Sequence, residues 1–244
     1  MKHLALAGLL AVLLPTGAAE PGLVLHYDFE GTDPTRVLDR SGHGHDGSAT
    51  AGTTIPGPTG AARLFRTVAD RIHFAEHPDF ALDGPLTVAA TLRVDSLGLH
   101  QHVIACDDKW AFWITPDNRF RLADTKGGGV STEPGSVPKG RWTSVVAVWR
   151  GTTGDSIDTG HLTIYVDGVP ATASSHLRTA AAQTAATWSP GELHPSDACY
   201  VGFESHQGNA VHQSMPFVGA IDELRVYSRA LSAAEAAALG SASR

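Results

Sequence analysis

The sequence predicts an all-β fold: two antiparallel sheets packed as a sandwich, with one short helix at the C-terminus. Three observations carry this. Short runs alternate apolar and polar residues with period two. Turn-forming residues separate those runs at short intervals. Only one segment carries the signals of a helix, and no strand-helix-strand rhythm is present.

The clearest run is Leu86–Val94. Val88, Ala90, Leu92 and Val94 share one face, and Thr87, Thr91 and Arg93 take the other. Leu23–Phe29, Arg71–Phe74, His102–Cys106, Ala111–Thr115, Arg119–Ala123, Trp142–Trp149, Leu162–Val166, Cys199–Phe203 and Val218–Tyr227 read the same way. Asp167-Gly168 follows Leu162–Val166 and suits the left-handed dihedrals of a two-residue hairpin. Pro116-Asp117-Asn118 marks another turn. The helix opens on Ser232-Ala233-Ala234-Glu235, a capping box in which serine and glutamate each satisfy the other's amide. It continues through Leu239, and Gly240 is the expected stop, after one or two turns. His45–Gly60 and Ser174–Ser196 read as loops, and no internal repeat appears.

The first residues are basic, followed by an apolar run from Leu4 to Leu14 and small residues up to Ala19. That order is a secretory signal peptide, and the apolar run is well short of the about 20 residues that span a bilayer. The expected division is 1–19 signal peptide, 20–240 one domain and 241–244 a tail. Secretion to an extracellular or periplasmic space follows, without membrane insertion and as a monomer. The formal charge of −7 argues against nucleic acid as a partner. Cys106 and Cys199, in an oxidising compartment, can form one disulfide. Closing so long a loop is worth about 4–5 kcal/mol in the chain-entropy view. Two buried thiols are the alternative.

Five segments occur in a telling order: Tyr27-Asp28-Phe29-Glu30-Gly31, Asp39-Arg40-Ser41-Gly42-His43-Gly44, Gly140–Val148, Leu162–Gly168, and Phe217–Ser232 followed by Glu235. Together they resemble the laminin-G-like, concanavalin A-like jelly-roll family from about Leu23 to Leu239. The resemblance implies a jelly roll, and a function among lectin-like modules, adhesion domains and some enzymes. It also implies a structural Ca²⁺ near the first and last strands. Glu30 and Asp222 are then the side-chain ligands, completed by backbone carbonyls. Glu30 stands where the family usually has aspartate. Strand alternation alone puts Asp222 in line with Leu224 and Val226, on the core face, where a carboxylate needs a partner.

Gly42-His43-Gly44-His45-Asp46-Gly47 matches GxGxxG, but no helix can open on it, so it is a glycine-rich turn. Histidine is abundant, at 13 residues, and His43/His45 and His100/His102 are spaced to face the same way. No third metal ligand stands at a useful spacing from either pair. There is no GxSxG elbow, and no Glu-x-Asp-x-x-Glu pattern of the kind used by glucanases.

The expected function is therefore binding of an extracellular polysaccharide or glycan, with Trp110, Trp113, Arg121, Trp188 and His206 as ligand-binding candidates. Aromatic rings stack on the apolar faces of sugars, and polar groups bond the hydroxyls. The alternative is a polysaccharide lyase, which needs a His or Tyr base and cations to stabilise the enolate-like anion. Its candidates are His102, His206, Lys109 and Arg121. A third possibility is an adhesion or envelope interaction domain without a sugar site.

Overall fold

A computed structural model describes residues 20–50, 52–81, 83–106, 109–124, 128–177, 198–204 and 215–241. Two antiparallel sheets dominate it. The eight-stranded sheet runs, edge to edge, Val169–Pro170, Leu162–Val166, Trp142–Trp149, Leu86–Val94, Gly219–Tyr227, Ala61–Phe65 and Thr53–Pro56. Leu23–Tyr27 adds to the closing strand Gly219–Tyr227. The nine-stranded sheet runs Ala173–Leu177, Gly128–Thr132, Phe120–Asp124, Trp110–Ile114, Gln101–Cys106, Ala198–Val201, Ile72–Ala75, Gly47–Ala49 and Arg36–Val37.

The inner faces meet in one apolar core that includes Phe74, Leu92, Ile104, Phe112, Leu122, Val145 and Leu224. Burying each such side chain contributes about 1.5–3 kcal/mol. A second cluster lies on the outer face of the eight-stranded sheet, where Val146, Val148, Tyr165 and Tyr227 meet Leu231 and Ala236. The helix Ala233–Ser241 covers this patch, and its capping box is present: Glu235 N–H donates to Ser232 Oγ and Ser232 N–H donates to Glu235 Oε2.

Leu86–Val94, Trp142–Trp149 and Leu162–Val166 form over the predicted residues. Asp167 (φ 51°) and Gly168 (φ 80°) both adopt left-handed dihedrals in the expected hairpin. Four expectations need correction. The predicted loop Ser174–Ser196 begins in a strand, since Ala173–Leu177 pairs with Gly128–Thr132 at the sheet edge. The predicted loop His45–Gly60 contains the strands Gly47–Ala49 and Thr53–Pro56, short pieces near sheet edges stabilised by their pairing partners. Gly240 does not stop the helix; it lies within it, and its bare Cα lets the helix approach Gly168, whose N would lie 2.2 Å from an added Cβ. Asp222 does not share a face with Leu224 and Val226. The pairing shifts between Asp222 and Arg225, with Glu223 at φ 50°, so Ile221, Leu224 and Val226 join the core while Asp222 is left outside it.

Candidate functional site

The outer face of the nine-stranded sheet gathers several chemistry-bearing side chains in one cross-strand row. Arg121 pairs with Trp113 on one side and Ser131 on the other, and Trp113 pairs with His102. Alternation explains the row: Phe112, Ile114, Phe120, Leu122 and Val130 take the core, so their neighbours point away from it. The Arg121 guanidinium lies over the Trp113 ring, 5.3 Å from its centroid, and Nη1 donates to Ser131 Oγ at 3.2 Å. His100 and His102 stack at 5.0 Å between centroids, and both contact the indole, at 5.7 and 5.4 Å. His102 Nε2 lies 3.2 Å from Glu204 Oε2. The row thus brings an aromatic platform, a cation, a hydroxyl and an imidazole–carboxylate pair within one patch.

The other ligand candidates are placed differently. Trp110 is fully buried among core residues, with Nε1 donating to the Phe80 carbonyl, so its ring serves the interior and not a ligand face. Lys109 is also buried, 3.3 Å from Glu76 Oε1, and lies outside the row. Trp188 and His206 lie outside the described residues. Cys106 and Cys199 form a disulfide between paired strands, closing 93 residues. Glu204 and Ser131 were not anticipated. A partner brought in by strand pairing or from another loop leaves no local pattern.

A second cluster surrounds Asp222 in the closing strand. Asp222 Oδ2 accepts from Thr59 N–H at 3.2 Å, and Glu30 Oε1 accepts from Ala61 N–H at 2.7 Å. The turn between Pro56 and Ala61 therefore touches both predicted calcium ligands. Its glycines are required there: a Cβ at Gly57 would lie 2.7 Å from Asp222 Oδ2, and one at Gly60 2.1 Å from Glu30 Oε1. Asp222 is fully buried, and its Oδ1 has no hydrogen-bond partner. Burial pushes its carboxyl up to about 7; the Thr59 amide opposes this, while the charges of Glu223 and Glu30 add to it. Burial also works against ionisation of Glu223, but hydrogen bonding to His26 (3.0 Å) and Arg225 outweighs it and holds that carboxyl below its ordinary range. A cavity of about 220 Å³ opens beside this strand, lined by Thr59, Thr91, Ser144, Glu223, Arg225 and Leu239 among others.

The chain has no match among curated protein sequences. Solved structures show the same architecture. A sialidase from Trypanosoma rangeli, in complex with a difluorinated nonulosonic acid, superposes with a TM-score of 0.60 at 15% identity, over 90% of this chain and 32% of the sialidase. The binding domain of Paraclostridial Mosquitocidal Protein 1 gives 0.61 at 14% identity, over 90% of this chain and 52% of that one. Domain 4 of AbnA, a GH43 extracellular arabinanase from Geobacillus stearothermophilus solved with arabinotriose, gives 0.59 at 18% identity. That match covers 91% of this chain and 99% of the arabinanase domain. The chain thus spans about a third of the sialidase, half of the mosquitocidal binding domain and nearly all of the arabinanase domain. At these identities the likeness is one of fold. In sequence, the laminin G profile of the concanavalin A-like lectin/glucanases superfamily matches residues 67–237, most of the two sheets, and the chain belongs to that superfamily.

Proposed function

We propose that the protein is a secreted glycan-binding module whose ligand seats on the outer face of the nine-stranded sheet, against Trp113 and Arg121. The observation that carries this is the cross-strand row: half-buried Trp113 offers a ring for a pyranose face, and the Arg121 guanidinium, itself largely buried and braced by the buried Ser131, lies over it as a cation for hydroxyls or carboxylates. Structural neighbours solved with arabinotriose or a sialic acid derivative support a sugar as the ligand class. Secretion is supported by the signal-like 1–19 segment and the disulfide. Among the described residues no helix is long and apolar enough to cross a membrane.

The test is affinity electrophoresis on a panel of neutral and acidic polysaccharides. Wild-type protein is retarded by at least one of them, and Trp113→Ala weakens retention about tenfold or more, in line with the loss of one stacking ring. Retention that is absent across the panel, or unchanged in Trp113→Ala and Arg121→Gln, overturns the proposal.

One observation favours a second reading, a lyase. His102 is paired with Glu204, which can orient the ring as a base, and Arg121 flanks the same indole from the other neighbouring strand, a cation for an anion held over Trp113. Release of unsaturated uronate absorbance from an acidic polysaccharide, abolished in His102→Ala, is its signature. A panel bound without that product excludes it.

Calcium belongs to this proposal as a structural ion. Asp222 Oδ1 is a buried acceptor in want of a partner, and the side chains offered as ligands are both carboxylates, the oxygen chemistry a hard cation takes. Asp222 and Glu30 would hold the ion, together with carbonyls of the 57–60 turn. It would neutralise the crowded carboxylates and fix that turn to the closing strand.

A further inference from the structure

A different cluster lies near the opposite edge of the nine-stranded sheet. The turn 42–45 connects Arg36–Val37 to Gly47–Ala49, and the short 3-10 turn Pro78–Phe80 follows Ile72–Ala75. Where they meet, three imidazoles converge on one carboxylate oxygen. Asp79 Oδ2 lies 2.8 Å from His43 Nδ1, 2.9 Å from His45 Nε2 and 3.4 Å from His77 Nδ1. Ligand atoms of His43, His45 and Asp79 all fall within 4.8 Å of one another.

The geometry points to a zinc site here, with His43, His45 and Asp79 as ligands and His77 alongside as a fourth donor. Two neutral imidazoles and a carboxylate form a donor set for zinc or a neighbouring late first-row metal, whereas calcium takes oxygens. In a tetrahedral zinc site, ligand atoms about 2.0–2.2 Å from the metal stand about 3.3 Å apart. The two carboxylate–imidazole spacings lie just under that value while the set as a whole spans up to 4.8 Å, so admitting an ion requires the carboxylate to back away by roughly half an ångström and the two rings to close toward each other. Each neutral imidazole that now donates to Asp79 would carry its proton on the other ring nitrogen instead. His77 Nδ1 accepts the Asp79 backbone N–H at 3.2 Å and would have to exchange that bond to join, so it ranks below the other three.

Both halves of the cluster are fixed to the body of the fold, as a metal site needs. The His45 carbonyl accepts from the Tyr27 hydroxyl at 2.7 Å, and its N–H donates to Asp39 Oδ2 at 3.0 Å. Its ring packs on Phe80, 4.8 Å between centroids. The Phe80 carbonyl in turn accepts from the buried Trp110 indole. Gly42 (φ 92°) and Gly44 (φ 81°) adopt left-handed dihedrals on either side of His43, and no atom lies within 4 Å of where their Cβ atoms would be. The glycines therefore serve the backbone path that turns His43 and His45 toward the same point.

The test is calorimetric titration of the chelator-stripped full chain with Zn²⁺, in saturating Ca²⁺ so that the oxygen-only cluster is silent. One ion binds per chain, and the Co²⁺-loaded protein shows visible absorption that Zn²⁺ displaces. His45→Gln and Asp79→Asn each weaken binding about tenfold or more, while the control His161→Gln leaves it unchanged. His43→Gln, at a half-exposed ring, supplies the same comparison should His45→Gln fail to fold. No binding by wild type, or equal affinity in wild type and His43→Gln, overturns the proposal.

Discussion

Asp222 and Asp79 are both partly or wholly shielded carboxylates held between separate stretches of chain, yet their surroundings have opposite character. Asp222 is buried among oxygens and backbone amides, with two further acids, Glu30 and Glu223, close enough to raise its pKa. Asp79 is partly exposed and ringed by imidazoles; burial raises its carboxyl, but hydrogen bonds from His45 and His43 outweigh that and hold it below its ordinary value. The first carboxylate lacks a counter-charge and needs a proton or a hard cation. The second is already satisfied, and a metal would replace partners instead of supplying missing ones. Donor chemistry around a carboxylate, more than the carboxylate itself, decides whether the fold depends on an ion.

The largest test of that contrast is pH in the presence of a chelator. Asp222 keeps its proton up to about pH 7 in the folded chain, against an ordinary value of 3.8. The folded state therefore binds the proton more tightly, and its advantage is full at low pH. Stability declines as pH rises from about 4 to 7, by a few kcal/mol on the order of magnitude that a shift of this size implies. Urea denaturation across that range checks it, and Asp222→Asn should flatten the slope. A slope unchanged in that variant would place the strain elsewhere.

Calcium should produce the next effect. At pH 7.5, saturating Ca²⁺ stabilises the chain by about 2.7 kcal/mol when present at a hundredfold its dissociation constant. Thermal melts with Ca²⁺ and with chelator measure this, and Asp222→Asn should erase the difference. An equal response in Asp222→Asn and wild type would remove Asp222 from the ion's shell.

A smaller effect separates two glycines of similar dihedral. Gly44 (φ 81°) has open space around its missing Cβ, so Gly44→Ala costs only the backbone strain of about 1–2 kcal/mol. Gly60 (φ 76°) pays the same strain, and an added methyl also drives Glu30 from its place against the turn. Gly60→Ala should be the less stable of the two and the only one to weaken calcium binding. Chemical denaturation of the pair, with and without Ca²⁺, decides it. Last, Asp79→Asn in metal-free buffer should change stability by less than about 1 kcal/mol, as expected for a partly exposed ion pair. A loss of several kcal/mol would make the histidine cluster a structural clamp.

Much of the fold was legible because its best strands are locally consistent. Leu86–Val94 alternates cleanly, and Leu162–Val166 is followed by residues that suit the left-handed turn. Thr53–Pro56 was not legible, since glycine and proline dominate its surroundings and its order comes from pairing with Ala61–Phe65. The side assigned to Asp222 failed on one bulged residue, Glu223, because a single extra residue reverses the alternation after it. Trp113, Arg121 and His102 could be named because they sit close in sequence. Placing them in one row required the register. Asp79 had no such signal, standing 34 residues from His45 in a segment that meets it only in three dimensions.

The pairing of Leu23–Tyr27 with Gly219–Tyr227 has a kinetic corollary. The closing strand also bonds to Leu86–Val94 and Ala61–Phe65, so the strand that comes last in the order of this sheet is its hub. Nothing earlier in the chain can finish that sheet on its own. Contacts of such long sequence separation make folding slow, and completion waits until the C-terminal strand is free of the ribosome.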